Sequence, residues 1–397
     1  MEHIRRKFYA KYALVQVELV RDFINKIDWS NRFIGIKGSR GVGKTTLVLQ
    51  YIKQNYKADN RVLYVSLDDL YFANNKLYAL AEAFYQKGGA LLAIDEVHRY
   101  PNWAAELKNI YDDMPGLKVI FTGSSLLHIQ KAKSDLSRRA VIYSLPGLSL
   151  REFIQFETGI RFEQLTLEQL INNHISYAME ISTKIKPLAY FDEYLKYGYY
   201  PFYRENKLAY HSKVEEVILT VLEVDIPLFA AIQTANIVYL KKLLAIISKS
   251  VPFKPNMSAL SSRTGISLNT LKTYLKLLND SGLLRLLYVN DKGINSLNKP
   301  EKIYLNNTNL MFSQGDENVN TGNLRETFFY SQMDELFDVR ASQQGDFLVK
   351  SKYTFEIGGK NKKQKQIKGL KDAYVVKDDI EIGTDNIIPL WLFGFLY

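Results

Sequence analysis

Apolar residues along the first third of the chain follow two alternating patterns. Short apolar runs rich in β-branched residues recur at Phe33–Ile36, Val62–Leu67, Ala90–Ile94, Val119–Phe121 and Ala140–Tyr143. The segments Leu77–Tyr85 and Trp103–Tyr111 between them carry apolar residues at helical spacing. Strands that alternate with helices predict an α/β domain with a five-stranded parallel sheet, covered by helices on both faces.

Helical spacing also marks regions outside the predicted sheet. The spacing of Val17, Val20, Ile24 and Ile27 predicts a helix from about Lys11 to Asp28, packed on the first domain. Turn-forming residues at Leu145–Ser149 end that domain, and mostly helical patterns with interleaved aromatic residues follow to about position 240. We expect these aromatic side chains to pack in the core rather than to stack on bases.

The stretch Gly38–Thr46, between the first strand and a helix, matches the phosphate-binding loop G-x-x-x-x-G-K-[ST] at every required position. Glycines in such a loop let backbone N–H groups surround an anion, and the positive end of the following helix adds to the attraction. The predicted cofactor-binding residues are Gly38, Ser39, Arg40, Gly41, Val42, Gly43, Lys44, Thr45 and Thr46. Lys44 would reach the β- and γ-phosphates, and the Thr45 hydroxyl would ligate Mg²⁺.

Two adjacent acids follow the third strand, where the sequence reads Leu-Leu-Ala-Ile-Asp-Glu and ends at Asp95 and Glu96. This is the form of a Walker B element. An acid at the end of a strand near the loop can hold Mg²⁺, and a second can orient or deprotonate the attacking water. We assign Asp95 to the metal and Glu96 to the water.

Small hydroxyl residues end the fourth strand in the sequence Phe121–Ser125. Ligands of such sheets bind at the carboxyl edge of the strands, so one hydroxyl could touch the γ-phosphate or the water. We choose Ser124 over Ser125 for this catalytic role. A helix N-cap is an equally good interpretation of the same serine.

Composition narrows the classes of function. The 397 residues suffice for two or three domains, and the absence of cysteine excludes disulfides, thiolate zinc sites and cysteine nucleophiles. No apolar run approaches the roughly 20 residues of a transmembrane helix, and no signal-peptide core follows Met1, so we expect a cytoplasmic protein without a membrane partner. The net charge of +10 is compatible with a nucleic-acid partner without requiring one.

A helix-turn-helix pattern spans Met257–Leu278, with a Thr-Gly-Ile-Ser turn in which Ser267 is the expected N-cap. Leu271, Leu275 and Leu278 should face inward, while Asn269, Lys272, Thr273 and Lys276 should face outward, with a hairpin-like wing near Leu284–Tyr304. Two outward lysines make only a modest electrostatic footprint. DNA contact and an internal role in closing over the nucleotide both remain open.

The ordered motifs resemble a large prokaryotic family of AAA-type P-loop ATPases. The resemblance rests on Gly38–Thr45, Leu67–Asp69, Asp95–His98, Pro101–Trp103 and Thr122–Ser125, and it continues in Phe191–Gly198, Lys302–Leu305 and Glu356–Gly358. Such proteins follow the P-loop domain with a winged helix and a restriction-nuclease-like domain. The resemblance implies a P-loop domain at 1–147, a helical lid or linker at 148–240, a winged helix at 241–312 and a nuclease-like α/β domain at 313–397.

The resemblance also implies an arginine that acts on the γ-phosphate of its own or a neighbouring subunit. Arg139 matches the family's arginine best, and we count it with Lys44, Glu96 and Ser124 as catalytic. Arg40, inside the loop, also matches the family and is expected to contact phosphate or a neighbouring domain.

The C-terminal region resembles nucleases of the PD-(D/E)xK type but departs from their motif. Asp346 and Glu356 fill the two acidic places, and Glu326 could supply a third carboxylate, whereas the lysine place holds Gly358. We therefore expect no DNA cleavage. The lysine-rich segment Lys360–Lys371, the densest basic run, is expected either to be a solvated surface or to contact a phosphate backbone.

These features predict an ATP-binding, Mg²⁺-dependent ATPase whose nucleotide cycle moves the winged-helix and C-terminal domains. The alternative is a nucleotide-regulated switch that binds DNA or protein and turns over little. The absence of a guanine-reading Asn-Lys-x-Asp element weakly favours ATP over GTP. An oligomer is compatible with the sequence, and the partner stays open between non-sequence-specific DNA and a protein.

Overall fold

The structure is a computed structural model that describes residues 2–123, 136, 138–230, 232–249, 254–289, 299–314, 319–363 and 366–397. The chain divides into two units, Met1–Gly147 and Leu148–Tyr397. Among the described residues, no helix combines the length and apolarity needed to cross a membrane.

The apolar runs of the first unit form one sheet. Its strands are β1 (Phe33–Lys37), β2 (Val62–Ser66), β3 (Leu91–Asp95), β4 (Lys118–Gly123) and β5 (Val141–Ser144). They lie in the order β2-β3-β4-β1-β5, and every pair is parallel. Strands buried on both faces need continuous apolar sequences, and β1 to β4 have them, whereas β5 at the edge is more exposed. The predicted five-stranded parallel sheet is confirmed.

Four helices accompany this sheet in the described part of the first unit: α1 (Glu2–Leu14), α2 (Lys44–Asn55), α3 (Leu77–Gln86) and α4 (Trp103–Asp113). Short 3₁₀ turns lie at Asp22–Lys26, Leu70–Ala73 and Val97–Arg99. The helices predicted after the first strand and between the later strands are confirmed.

The helix predicted from Lys11 to Asp28 is wrong, because α1 ends at Leu14 and only the 3₁₀ turn lies further on. Side chains of other elements take the carbonyl groups of this segment instead. The Gln50 amide donates to the carbonyls of Gln16 and Leu19, at 2.8 and 2.9 Å. Carbonyls satisfied in this way hold an irregular backbone against α2, and a helix would have needed them for its own hydrogen bonds.

The second unit begins with helices. They are α5 (Leu150–Thr158), α6 (Leu167–Lys184), α7 (Pro187–Tyr197), α8 (Tyr210–Thr220), α9 (Ile226–Ala230) and α10 (Ile237–Ser248), with a π-helical turn at Val221–Asp225 and a 3₁₀ turn at Pro201–Arg204. Four aromatic residues of this stretch are buried, Tyr194, Tyr199, Tyr200 and Tyr203, while Tyr197 and Phe202 are partly exposed. The predicted role in the core is confirmed for the four buried residues.

A helix, a turn and a second helix follow as α11 (Met257–Thr264) and α12 (Leu268–Asp280). The Ser267 hydroxyl accepts the backbone N–H of Thr270 and caps α12, as expected. Leucines 271, 275 and 278 are buried, while the four predicted outward residues are exposed. Strands β6 (Leu284–Leu287) and β7 (Lys302–Leu305) then pair antiparallel. The identification of this region as a winged helix stays a prediction.

The last part of the chain builds a second sheet. Helices α13 (Thr308–Gln314) and α14 (Thr321–Asp334) precede β8 (Val339–Ala341), β9 (Phe347–Val349), β10 (Tyr353–Gly358), β11 (Ala373–Lys377) and β12 (Ile387–Pro389), and a 3₁₀ helix covers Leu390–Phe395. The order is β12-β11-β10-β9-β8, with β10, β11 and β12 parallel and the other pairs antiparallel. The ring of Phe329 of α14 packs in tilted and edge-on arrangements against rings of the sheet and of the terminal segment, Phe347, Phe355 and Phe393.

Candidate functional site

The loop between β1 and α2 has the backbone that the glycine spacing predicts. Gly41 and Gly43 have φ angles of 86° and 93°, a left-handed region that side chains other than glycine rarely adopt. At Gly38 a Cβ atom would meet the backbone oxygen of Leu145 at 2.4 Å, so no larger residue fits without a shift. The loop is therefore fixed by glycine at both ends before the first turn of α2.

The Lys44 ammonium is folded back across this loop. Nζ donates to the carbonyl oxygens of Gly38 and Ser39, at 2.9 and 2.8 Å, and the residue is buried. The carbonyl groups hold the buried ammonium at the loop, at the place where an anion would enter. Thr46, by contrast, is exposed in the first turn of α2.

The end of β3 meets the start of α2 at Asp95. One strand, β4, separates β1 from β3, yet the Thr45 hydroxyl donates to Asp95 Oδ2 at 2.7 Å. The Tyr64 hydroxyl donates to the same oxygen at 2.7 Å, and the Thr122 hydroxyl donates to Oδ1. Burial and the negative charge of Asp95 raise the pKa of Tyr64 far above its usual value, so this hydroxyl stays protonated and donates.

Glu96 has an unusual backbone and a crowded carboxylate. Its φ and ψ of 54° and 41° are left-handed, which is uncommon for a glutamate and turns the chain sharply after β3. Oε2 lies 3.9 Å from Arg40 Nη1, 3.4 Å from His98 Nε2 and 4.0 Å from Arg99 Nε. The Glu96 amide donates to Thr122 Oγ1 at 3.3 Å, so Thr122 connects both acids of the predicted Walker B element.

Arg21 supports the backbone of the P-loop, a role that the sequence pattern did not reveal. Its guanidinium is buried and donates to the carbonyl oxygens of Val42, Pro146 and Gly147, at 3.2, 2.6 and 2.8 Å. It therefore joins the P-loop backbone to the segment after β5. An arginine inside an otherwise apolar pattern was the available signal, but its partners are backbone carbonyls that no side-chain motif marks.

Of the predicted catalytic residues, Arg139 lies away from the P-loop and Ser124 lies outside the described residues. Ser124 falls in the stretch from 124 to 135, which the structure does not describe. Arg139 precedes β5, at the amino edge of the sheet, and pairs with Asp112 near the end of α4 through two contacts of 3.0 Å. The P-loop follows the carboxyl end of β1, so the structure does not bring Arg139 to the loop of its own chain.

A second charged cluster lies in the second unit. Lys302 Nζ of β7 contacts Glu326 Oε2 at 2.8 Å and Asp346 Oδ1 at 3.5 Å. The Tyr304 hydroxyl donates to Glu326 Oε2 at 2.8 Å, and the Ile357 amide donates to Asp346 Oδ2 at 2.8 Å. These contacts bring two of the three predicted nuclease-like acids together around one ammonium.

Glu356, the third acid, is almost fully buried on β10. Its Oε1 lies 3.0 Å from Lys362 Nζ, and its Oε2 has no hydrogen-bond partner among the described residues. A Cβ at Gly358 would meet the Lys362 side chain at 2.5 Å, so this lysine covers the position where the nuclease motif has its own. The lysine that returns to Glu356 is thus Lys362 and not Lys360.

Comparisons with known proteins agree with the geometry of the first unit. A family model described as "AAA domain" matches residues 30–154, and one described as "Domain of unknown function (DUF8612)" matches residues 188–316. The parallel sheet, the loop and the first of these matches support an AAA-type P-loop ATPase domain. They suggest nucleotide binding and hydrolysis.

One relative and two solved structures show how far the similarity extends. "Uncharacterized protein MJ1637" of Methanocaldococcus jannaschii is 27% identical over 279 residues, 67% of this chain and 59% of the relative, so this chain spans less than two thirds of it. The Walker-type ATPase PABY2304 of Pyrococcus abyssi is 11% identical, with 75% of this chain and 95% of its own covered and a TM-score of 0.42. AMPPCP-bound DnaA from Aquifex aeolicus is 14% identical, with 70% and 88% covered and a TM-score of 0.27.

Proposed function

We propose that this protein is a Mg²⁺-dependent ATPase whose nucleotide cycle moves the regions that follow the P-loop domain. The observation that carries the proposal is the 2.7 Å contact between the Thr45 hydroxyl and the Asp95 carboxylate. It joins a phosphate-binding loop to the end of a strand that also presents Glu96. Loop, hydroxyl and two acids at one sheet edge are the parts that phosphoryl transfer to water requires.

The residues of this edge have separate tasks in the proposed reaction. The loop N–H groups and the Lys44 ammonium bind the phosphates and hold the γ-phosphate in place. Mg²⁺ would neutralise phosphate charge, and the hydroxyl of Thr45 with the carboxylate of Asp95 supplies the hard oxygen donors that this ion prefers. Glu96 orients the attacking water and accepts its proton.

Arg139 is assigned to the nucleotide of a neighbouring copy. The strands between the two sheet edges are about five residues long, which corresponds to about 16 Å at roughly 3.3 Å per residue. An arginine side chain cannot cover that distance from the amino edge to the loop of its own chain. An arginine supplied by a second copy acts on the γ-phosphate in the same chemical way.

A nucleotide-regulated switch with little turnover is the second candidate. The observation in its favour is the carboxylate of Glu96, whose Oε2 faces Arg40, His98 and Arg99 instead of standing open to water. A base engaged by two arginines and a histidine suits a protein that binds ATP, changes its partner contacts and hydrolyses slowly. Non-sequence-specific DNA and a protein are the two partner classes proposed for either function.

Phosphate release from ATP by the purified protein, with and without DNA, tests the proposal. Lys44→Ala should lose nucleotide binding because it removes the main positive charge at the β- and γ-phosphates. Glu96→Gln should still bind ATP and lose turnover by about a hundredfold or more. Lys53→Ala, at the other end of α2, is the matched control and should bind normally.

The effect of Glu96→Gln on turnover distinguishes the two candidate functions. If Glu96→Gln releases phosphate at the parent rate, the water-activating role is wrong and the switch is favoured. If the wild-type protein binds no ATP in the presence of Mg²⁺, both candidates are excluded.

A further inference from the structure

The basic side chains around Glu96 come from two different elements. Arg40 belongs to the phosphate-binding loop, whereas His98 and Arg99 belong to the 3₁₀ turn that follows β3. All three face the same oxygen, Oε2, at 3.9, 3.4 and 4.0 Å. Glu96 is thus held on one side by its own turn and on the other by the loop that would receive a nucleotide.

Arg40 lies where its side chain can bind either of two anions. Its side chain is about one-third exposed, at 31%, and its backbone lies between Gly38 and Gly41 of the loop. A guanidinium recognises carboxylate and phosphate with the same planar fork of N–H groups. The Arg40 guanidinium will therefore pair with whichever of the two anions, carboxylate or phosphate, binds it more tightly.

We propose that Arg40 is a positioning residue that leaves the Glu96 carboxylate for the γ-phosphate when ATP fills the loop. Glu96 is then released from the loop side while His98 and Arg99 still face it from its own turn. ADP, which has no γ-phosphate, leaves Arg40 on Glu96. The inference rests on the proposed nucleotide function and adds to it a device that couples ATP binding to release of the water-activating carboxylate.

The distance between Arg40 and Glu96 makes this exchange favourable. Charge-assisted hydrogen bonds of guanidinium groups are about 2.7–2.9 Å long, and the 3.9 Å contact is an ion pair outside that range. A terminal phosphate carries more negative charge than a carboxylate and offers three acceptor oxygens. The loop also holds Arg40 close to the phosphates by its backbone position, so the exchange needs only side-chain rotation.

A double-mutant cycle on nucleotide affinity tests the proposal. Calorimetry with Mg²⁺ compares the non-hydrolysable analogue AMPPNP with ADP on wild type, Glu96→Gln, Arg40→Gln and the double variant. Glu96→Gln should tighten AMPPNP by about fivefold or more, because Arg40 is no longer held by a carboxylate, and should change ADP affinity less than about twofold. In the Arg40→Gln background the same change at Glu96 should have no effect on AMPPNP.

Arg99→Gln is the matched control, because Arg99 faces the same oxygen at nearly the same distance but lies outside the loop. Glu96→Gln should still tighten AMPPNP in that background. Arg40→Lys keeps the charge but not the fork and should retain part of the coupling, which covers the case of a poorly folded Arg40→Gln protein.

The outcomes separate the inference from the proposed function. Equal tightening for AMPPNP and ADP, or tightening that persists in Arg40→Gln, overturns the coupling by Arg40. A wild-type protein that binds neither nucleotide overturns the proposed function itself. Nucleotide binding without any interaction between positions 40 and 96 overturns the inference alone.

Discussion

At the scale of single residues, Arg139 is held by an ion pair with Asp112. Its guanidinium meets Asp112 in a two-point contact, and this hydrogen bonding holds the pKa of the Asp112 carboxyl below its usual value. The Asp112 side chain is exposed to solvent and that of Arg139 is partly exposed, so the pair adds little to stability.

We expect Arg139→Ala to bind ATP normally and to lose most of its turnover, because we propose that the residue acts on the nucleotide of a neighbouring copy. Asp112→Asn breaks the same ion pair and should keep its turnover. Mixing Arg139→Ala with Lys44→Ala should restore part of the activity, since a mixed pair contains one complete site. Phosphate release from the separate and mixed proteins measures this, and normal turnover of Arg139→Ala alone would remove Arg139 from the chemistry.

The residues of the candidate site divide by the kind of information that identifies them. The P-loop, Asp95 and Glu96 can be predicted from local sequence. The glycine spacing indicates a phosphate-binding loop, and acids directly after a strand indicate groups for the metal and the water. The hydrogen bond from Tyr64 to Asp95 cannot be predicted in this way, because it depends on β2 lying beside β3. The contacts of Arg40 with Glu96 likewise join segments more than fifty residues apart.

At the scale of elements, the connection between β10 and β11 holds the densest group of lysines. Lys360, Lys363, Lys368 and Lys371 are exposed there, while Lys362 is paired with the buried Glu356. Lys365 lies outside the described residues. The exposed lysines can neutralise phosphates, whereas a change at Lys362 would also leave a buried carboxylate without its cation.

We expect DNA binding, where it occurs, to be insensitive to sequence and strongly reduced by salt, with this connection as the main contributor. Changing Lys360, Lys363 and Lys368 to Gln should weaken binding more than changing Lys272 and Lys276 on α12. The slope of log K against log salt should fall by up to about three for duplex DNA. Fluorescence anisotropy across a salt series measures both, and an unchanged affinity of the triple variant would exclude this segment.

Elements were predictable where burial dictates the pattern. Strands β1 to β4 of the first sheet are buried, continuous apolar runs, and helices of the first unit such as α3 and α4 have one apolar face, so their sequences specify them locally. The segment after α1 failed because its apolar residues are spaced like a helix while its carbonyls bond to Gln50 and its Arg21 reaches distant carbonyls. Periodicity reports which residues are buried and not which partner satisfies the backbone.

At the scale of the whole molecule, the second unit holds a charged cluster separate from the residues of the proposed ATPase site. The second unit gathers Glu326 and Asp346 around Lys302, and Glu356 beside Lys362. The strong attraction of Glu326 and Asp346 for the half-buried ammonium outweighs its burial and raises the pKa of Lys302, so this group stays charged through the neutral range. A permanent ammonium between two carboxylates competes with any divalent cation for the same oxygens.

We expect no cleavage of DNA by this unit, because Gly358 replaces the lysine of the nuclease motif and Lys302 already occupies the carboxylates of Glu326 and Asp346. Plasmid and single-stranded DNA are incubated with wild type and with the double variant Asp346→Ala and Glu356→Ala, in Mg²⁺ and in Mn²⁺. Because Glu356 is buried, thermal melting must show that the double variant is folded. Cleavage by wild type that is lost in the folded double variant would show a second active site, in which Lys362 supplies the ammonium that position 358 lacks.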